Sequence, residues 1–168
     1  MVQSYPMKPS VQHIAADIHQ YFLKHGLTLA VAESCTGGLI SHMITSIPGA
    51  STIFKSGIVV YSRQAKEDML GISPDVMNEF GMVSGETAIE MAEKVRLLAK
   101  ADYAAAATGN LGPDVLEGKD RGLIYLAASR EGKAITRELH LPGTRDENKT
   151  MAAEAALKLI LQLAESSK

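Results

Sequence analysis

The sequence predicts an α/β protein, a three-layer α/β/α sandwich on a mixed, partly parallel sheet. Segments with the apolar spacing of helices alternate with short β-prone runs almost throughout the chain. Residues 102–108 form a strand rich in small side chains, which is typical of a strand covered closely by helices on both faces. Two further β-prone runs, separated only by residues 130–133, indicate a hairpin and therefore an antiparallel part of the sheet.

The first half of the chain supplies two predicted strands. Ser10 is a candidate N-cap for a helix that Gly26 ends, and residues 27–32 form the first strand. A second helix has apolar side chains spaced over residues 39–47 on one face. Residues 53–61 contain the most β-prone run of the sequence, so we expect a central strand there.

Three further helices each follow a serine, and Ser62 and Ser84 are predicted to cap theirs. Ser62 precedes a helix ending at Leu70, Ser73 precedes a second short helix with proline at its first position, and Ser84 precedes a longer one. The apolar positions predicted to form the buried face of that longer helix are Ala88, Met91, Ala92, Val95, Leu98 and Ala99.

A long polar loop, residues 109–122, leads into the predicted hairpin of residues 123–129 and 134–141. Thr144 and Glu147 have the spacing of a capping box at the start of the last helix. Its predicted inward positions are Met151, Ala152, Ala155, Ala156, Leu159, Ile160 and Leu163.

Length and composition indicate one domain with one sizeable core. The chain has 168 residues, of which 46% are hydrophobic. We expect residues 1–8 to form a flexible N-terminus and residues 9–166 to form the domain. A homo-oligomer is compatible with this sequence.

The charge pattern excludes several classes of partner. The formal net charge is −2 and the charged residues are scattered, so we expect neither a nucleic-acid partner nor a membrane patch. The single cysteine, Cys35, excludes an internal disulfide and fits a cytoplasmic protein. The 5 histidines are dispersed without zinc-ligand spacing, so no metal site is predicted.

The stretch from Ala30 to Gly38 has the features of a strand-to-helix turn that carries a nucleophile. Ser34 stands on the turn, where glycines leave N–H groups at a helix N-terminus free to bind a phosphate or an oxyanion. Cys35, one residue further round, is expected to face away from the substrate of Ser34. A purely structural turn is the alternative.

Two residues near the next strand could activate that serine. Tyr61 and Lys66 would share the carboxyl edge of the sheet with Ser34 if the strands are parallel. A lysine acts as a base there only if burial lowers its pKa, and a tyrosine could relay a proton. The alternative is a tyrosine ring in the core and a solvated helical lysine.

The string Ala-Glu-Ser-Cys-Thr-Gly-Gly at residues 32–38 resembles the C-terminal domain of the CinA family, as do residues 47–51 and 61–66. This resemblance implies an amidase that hydrolyses nicotinamide mononucleotide to nicotinate mononucleotide and ammonia, in pyridine nucleotide salvage. It also implies that Ser34, Tyr61 and Lys66 are the catalytic residues, with no metal or cofactor.

The same resemblance implies a site for the substrate, a pyridine nucleotide with a phosphate. Gly143-Thr144-Arg145 matches the Gly-x-Arg motif of the family, and Arg145 could pair with phosphate in a bidentate way. Lys149 stands where the family usually has a second arginine. The predicted substrate-binding residues are Glu33, Thr36, Gly37, Gly38, Thr108, Gly109, Arg145 and Lys149.

The loop of residues 109–122 departs from the family pattern. It keeps a frame of Thr108, Gly109, Gly112, Pro113, Lys119 and Gly122, but it lacks the usual glycine pair. Substrate range or turnover could therefore differ. The alternative function is a weakly active or inactive relative that acts as a nucleotide-binding module.

Overall fold

The computed structural model describes residues 9–166, and the predicted flexible N-terminus, residues 1–8, lies outside the described residues. The strands, numbered in chain order, are β1 Leu29–Glu33, β2 Phe54–Val59, β3 Tyr103–Gly109, β4 Leu123–Arg130 and β5 Lys133–His140. The helices are α1 Pro9–His25, α2 Leu39–Thr45, α3 Arg63–Leu70, α4 Pro74–Glu79, α5 Gly85–Ala99 and α6 Arg145–Glu165. A short 3-10 helix, Ala50–Thr52, precedes β2.

The strands form one mixed sheet in the order β2-β1-β3-β4-β5. Strands β1, β2 and β3 are parallel, whereas β4 is antiparallel to β3 and to β5. The carboxyl ends of the three parallel strands therefore meet at one edge of the sheet. This edge holds the candidate site described below.

Helices cover both faces of the sheet, as predicted. Ala105 and Ala107 of β3 pack with buried side chains of α1, α2 and α6, including Phe22. Ala104 and Ala106 face the other way, toward α5 and its Met91. Because every side chain in this part of β3 is a methyl group, helices can approach closely on both sides, and the three-layer α/β/α fold is confirmed.

The position predicted for β2 is wrong, because it is an edge strand that pairs only with β1. Its residues alternate between partly buried and exposed, and the side chain of Val59 is 42% exposed. High β-propensity reports how a side chain fits a pleated surface, not where the strand lies in the sheet. The central position belongs to the alanine run of β3.

The caps predicted at Ser62, Ser84 and Thr144 are present. The Ser62 and Ser84 side chains accept hydrogen bonds from the N–H groups of Ala65 and Thr87, and Thr144 and Glu147 form the capping box. Gly71 ends α3 in a left-handed conformation. These are local signals, since each cap bonds to a residue three positions away in the sequence.

Four details of the predicted elements differ. The helix α1 begins at Pro9, so Ser10 lies inside it, and the hairpin turn consists of residues 131–132 rather than 130–133. Leu98 and Met151, predicted to be inward, are 60% and 49% exposed. Both lie beside the buried stripe of their helix, where the apolar pattern is wider than the covered face.

Within residues 9–166, no helix combines the length and the apolar character that crossing a membrane requires.

Candidate active site

Ser34 lies at the carboxyl end of β1, where the parallel strands β1, β2 and β3 end together. Its N–H donates to the carbonyl of Ala107 at 2.9 Å, which extends the pairing of β1 with β3 to the turn. The side chain is only 7% exposed and lines a cavity of about 260 Å³. The cavity walls are formed by Ser34, Cys35, Tyr61, Gly109, Asn110, Leu111, Gly112, Pro113, Asp114, Leu116 and Arg145.

Lys66 reaches Ser34 from the second turn of α3. Its Nζ donates to Ser34 Oγ at 2.9 Å and to the carbonyl of Val60 at 2.9 Å. The residue is 1% exposed, so it is not the solvated helical lysine of the alternative interpretation. Burial lowers the pKa of the Lys66 ammonium to about 8, because desolvation disfavours its charge. A neutral amine is therefore accessible near physiological pH.

Tyr61 lines the same cavity, but its hydroxyl contacts a different residue. The side chain is 60% exposed, and its hydroxyl accepts a hydrogen bond from Arg145 Nη2 at 2.8 Å. Among the described residues, no hydrogen bond joins Tyr61 to Ser34 or Lys66. The predicted catalytic set is thus brought together only in part, as a Ser34–Lys66 pair with Tyr61 on the cavity wall.

Cys35 also lines the cavity, beside Ser34. The expectation that the two side chains do not face the same substrate stays a prediction. The Cys35 thiol is 5% exposed, and burial raises its pKa to about 12. The thiolate is the reactive form of cysteine, and at neutral pH it is negligibly populated here. Lys66 is hydrogen-bonded to the Ser34 hydroxyl, which makes the serine the better nucleophile candidate.

Glu33 is fully buried and its carboxylate is used inside the protein. It accepts hydrogen bonds from the N–H groups of Gly38 at 3.0 Å, Ile40 at 3.0 Å and Ser41 at 2.8 Å, and from Ser41 Oγ at 2.7 Å. The prediction that these helix N–H groups are free for a ligand is therefore wrong, as is a direct substrate contact by Glu33. Gly38 begins α2 without a capping side chain, so Glu33 supplies the cap from the end of β1.

Of the other predicted substrate-binding residues near Ser34, two are buried away from the cavity and one lines it. Thr36 is fully buried, and its hydroxyl has no hydrogen-bond partner in the described part of the chain. Thr108 is 1% exposed, and its hydroxyl donates to the carbonyl of Met82 at 2.8 Å. Neither lines the cavity, whereas Gly109 does. The Thr108 hydroxyl thus ties β3 to the segment before α5, whereas the Thr36 hydroxyl has no such contact among the described residues.

Two cations of α6 stand at the mouth of the site. Arg145 donates through Nη1 to the carbonyl of Gly112 and through Nη2 to Tyr61. Lys149 follows one turn later, with Nζ 3.6 Å from the position that a Cβ on Gly37 would occupy. Within residues 9–166, neither residue forms an ion pair, so both charges remain uncompensated near the turn that carries Ser34.

Asn148 positions these cations and was not predicted. It is 1% exposed; its Oδ1 accepts from the N–H of Gly143 at 3.0 Å, and its Nδ2 donates to the carbonyl of Leu141 at 3.0 Å. The amide thereby ties the segment between β5 and α6 to the first turn of α6. A lone asparagine inside a helix carries no sequence signal for this role.

The loop of residues 109–122 is anchored to residues 80–83 by Glu117 and Lys119, whose charged groups lie 3.2 Å apart. Glu117 accepts from the N–H groups of Met82 at 2.6 Å and Val83 at 3.3 Å, while Lys119 Nζ donates to the carbonyls of Phe80 at 3.0 Å and Val83 at 2.6 Å. Burial alone would raise the pKa of Glu117, but these N–H groups and Lys119 hold it below its usual value.

Six cavity residues of the loop were not among the predicted substrate-binding residues: Asn110, Leu111, Gly112, Pro113, Asp114 and Leu116. They come close to Ser34 only because the loop folds back over the sheet edge, which no local pattern indicates.

Across the part of the chain that the structure describes, no cluster of three or more histidine, cysteine or carboxylate groups could hold a metal ion. A buried hydroxyl bonded to a buried amine is an arrangement suited to acyl transfer.

The sequence profile of the CinA C-terminal domain matches residues 11–164. This chain belongs to the CinA C-terminal domain family. Similar proteins include one from Desulforamulus reducens, provisionally named competence-damage inducible protein, which is 44% identical over 142 residues, 84% of this chain and 34% of the relative. A CinA-like protein from Chlorobium phaeobacteroides is 41% identical over 150 residues, 86% of this chain and 36% of the relative. The chain therefore spans about a third of the length of these CinA relatives.

Solved structures of CinA proteins have the same fold. A competence/damage inducible protein from Agrobacterium tumefaciens superposes with a TM-score of 0.91 at 33% identity, covering 96% of this chain and 99% of that one. A CinA superfamily protein from Escherichia coli superposes with a TM-score of 0.88 at 27% identity, covering 96% of this chain and 95% of that one. The fold and the family of this chain are thus established together.

Proposed function

We propose that this CinA domain is a serine amidase that converts nicotinamide mononucleotide to nicotinate mononucleotide and ammonia. The observation that carries the proposal is the buried hydrogen bond of 2.9 Å between Lys66 Nζ and Ser34 Oγ. A serine hydroxyl needs a base to become nucleophilic, and an amine with a pKa of about 8 is such a base. The choice of substrate rests on the resemblance of the Ser34 turn to the amidases of this family.

In the acylation step, neutral Lys66 accepts the proton of Ser34 while Oγ bonds to the carbonyl carbon of the amide. The carbonyl π electrons move to oxygen, which gives a tetrahedral intermediate and a Lys66 ammonium. The carbonyl of Val60 accepts one N–H of Lys66 and so keeps the amine directed at Ser34. Collapse of the intermediate re-forms the carbonyl and breaks the C–N bond, and Lys66 gives its proton to the departing nitrogen, which leaves as ammonia.

In the deacylation step, the ester on Ser34 is hydrolysed by water. Lys66 accepts a proton from the water as its oxygen bonds to the acyl carbon, and it returns that proton to Ser34 Oγ when the ester bond breaks. The sum is amide plus water giving carboxylic acid plus ammonia. Lys66 and Ser34 end in their starting protonation states, so one base serves both halves of the reaction.

The oxyanion of the intermediate needs donors close to Ser34. The N–H groups of Gly38, Ile40 and Ser41 are already bonded to Glu33. The N–H groups of Cys35 and Thr36 follow Ser34 on the turn, and neither donates to a backbone carbonyl in the described part of the chain. We assign these two groups to the oxyanion, because preorganised N–H donors beside a nucleophile are the usual means of stabilising that charge.

The remaining parts of the substrate fit the rest of the cavity. Its volume of about 260 Å³ is slightly below that of most small-molecule sites, which run from about 300 to 1,000 Å³. Leu111, Pro113 and Leu116 offer apolar surface to a pyridine ring. Arg145, which is exposed at the rim, and Lys149 supply positive charge for a phosphate outside the cavity.

The test is to incubate the purified protein with nicotinamide mononucleotide and to measure both ammonia and nicotinate mononucleotide. We expect equimolar products from the wild type and none from Ser34→Ala. The matched control Cys35→Ala, one residue away on the same cavity wall, should keep most of the activity. If Cys35→Ala is inactive and Ser34→Ala is not, the nucleophile is the thiol. Binding of the mononucleotide without ammonia release would support the alternative, a nucleotide-binding module.

A further inference from the structure

A second cavity lies at the opposite end of the sheet from Ser34. Its volume is about 350 Å³, and it is lined by Leu27, Arg96, Ala101, Asp102, Tyr103, Arg130 and Glu131. Tyr103 is the first residue of β3, whereas Gly109 at the other end of the strand lines the candidate active site. Seven residues of strand span about 20 Å, at roughly 3.3 Å per residue, so one small ligand cannot occupy both cavities.

Two arginines reach this second cavity from different elements. Arg96 stands in the last turn of α5, and Arg130 is the last residue of β4, paired with Tyr103 across the sheet. The Nε atom of each is buried and has no hydrogen-bond partner among the described residues. A buried donor without an acceptor costs about 1–3 kcal/mol, and more when the group is charged. Such a group therefore indicates a missing partner.

The acidic residues of the cavity do not supply that partner. Asp102 Oδ2 accepts from the N–H of Thr28 at 2.8 Å and from its hydroxyl at 2.7 Å. Glu131 is exposed, and only its main-chain carbonyl bonds to Arg130, accepting from Nη1 at 3.0 Å. In the described part of the chain, neither Arg96 nor Arg130 forms an ion pair. Both guanidinium groups are thus available to an oxyanion.

We propose that the cavity between Arg96 and Arg130 binds a small oxyanion, a phosphate or a carboxylate group. The edge of a guanidinium, formed by Nε and one Nη, presents two parallel N–H donors that match two oxygens of such a group. The ligand would accept from the guanidinium groups of Arg96 and Arg130, the two cationic side chains of a cavity that Asp102 and Glu131 also line. This site is separate from the phosphate position proposed at Arg145 and does not depend on the proposed amidase activity.

The test is a titration of the ¹⁵N-labelled protein with inorganic phosphate, followed by NMR of the arginine Nε–H groups. We expect the Arg96 and Arg130 signals to shift together and to saturate, with a Kd weakened about tenfold or more by Arg96→Gln or Arg130→Gln. Arg137→Gln is the matched control, because Arg137 is bonded to Gln162 and does not line the cavity. It should leave the Kd unchanged.

Titrations with other anions identify what the cavity binds. Acetate tests the carboxylate class, and saturation of the same two signals by acetate alone also supports the proposal. Sodium chloride at matched ionic strength tests for screening, and equal shifts with chloride overturn the proposal. So does a titration in which phosphate moves only the Arg145 signal. Because the wild type alone gives these readouts, the test does not depend on the folding of a variant.

Discussion

Lys66 Nζ lies 2.9 Å from Ser34 Oγ, and the carbonyl of Val60 holds it there from the other side, also at 2.9 Å. The two residues are 32 positions apart, and both are nearly excluded from solvent. A protonated lysine in this place would only donate to the serine, whereas a neutral one can accept its proton. The protonation state of one buried amine therefore controls whether the site can react.

The first prediction concerns the pH dependence of turnover. Because burial lowers the pKa of Lys66 to about 8, kcat/KM for the amide should rise as the pH increases through about 8 and then level off. We expect about a tenfold fall for each pH unit below that value. The measurement is kcat/KM from pH 6 to pH 10 at constant ionic strength. A flat profile would show that Lys66 is not the base.

The second prediction concerns the pH dependence of stability. The pKa of Lys66 falls from 10.5 to about 8 on folding, so between these values the unfolded chain binds more protons than the folded one. The free energy of unfolding should therefore rise with pH across this window. The rise should be roughly 3 kcal/mol in total, because each unit of pKa shift corresponds to about 1.36 kcal/mol. Below about pH 8 the buried charge destabilises the protein by the full amount.

The control for that measurement is Lys66→Met, which keeps a long side chain and removes the titrating group. Denaturant unfolding of both proteins from pH 7 to pH 11 isolates the contribution of Lys66, because the other ionisable groups are common to both. The difference in the free energy of unfolding should change across the window. Parallel curves would mean that Lys66 has an ordinary pKa in the folded protein.

The third prediction concerns Arg145 and the phosphate. A charge-assisted, bidentate contact contributes about 1.5–3 kcal/mol, so Arg145→Ala should raise KM for the mononucleotide about tenfold to a hundredfold, with a smaller effect on kcat. The dephosphorylated riboside should be a poor substrate and nearly indifferent to the change. An equal loss on both substrates would mean that Arg145 maintains the shape of the cavity.

Tyr61→Phe is the matched control for Arg145. It keeps the ring on the cavity wall and removes the hydroxyl that accepts from Arg145 at 2.8 Å. If Tyr61 only orients Arg145, the variant should raise KM for the mononucleotide by a few-fold and leave kcat on the riboside unchanged. A large loss of kcat on both substrates would instead favour the catalytic role that the family resemblance implies for Tyr61.

The fourth prediction concerns Glu33 as the cap of α2. Glu33→Ala leaves the N–H groups of Gly38, Ile40 and Ser41 without their acceptor, at about 1–3 kcal/mol for each buried group. We expect the free energy of unfolding to fall by about 3 kcal/mol or more in denaturant titrations. Ser41→Ala removes one hydroxyl contact and should cost about 1 kcal/mol. Equal effects of the two changes would contradict the capping role.

The elements predicted correctly depend on interactions between near neighbours. Ser62, Ser84 and Thr144 each cap a helix by bonding to a residue three positions further along the chain. The alanine run of β3 likewise predicts helices on both faces of the strand, because only small side chains allow helices to approach it from both sides. A sequence pattern contains this information in full, so the helices, the strands and the layered fold could be predicted.

The sequence by itself determined most elements of the fold and placed Ser34, Tyr61 and Lys66 at one edge of the sheet, on the condition that the strands are parallel. Only the tertiary structure decided that β2 lies at the edge, that Glu33 caps a helix, and that Tyr61 contacts Arg145 and not Ser34. It also decided how deeply Lys66 is buried, and hence its lowered pKa. The physical reason is that desolvation and hydrogen-bond partners depend on which distant segments pack around a side chain, and no local pattern records them.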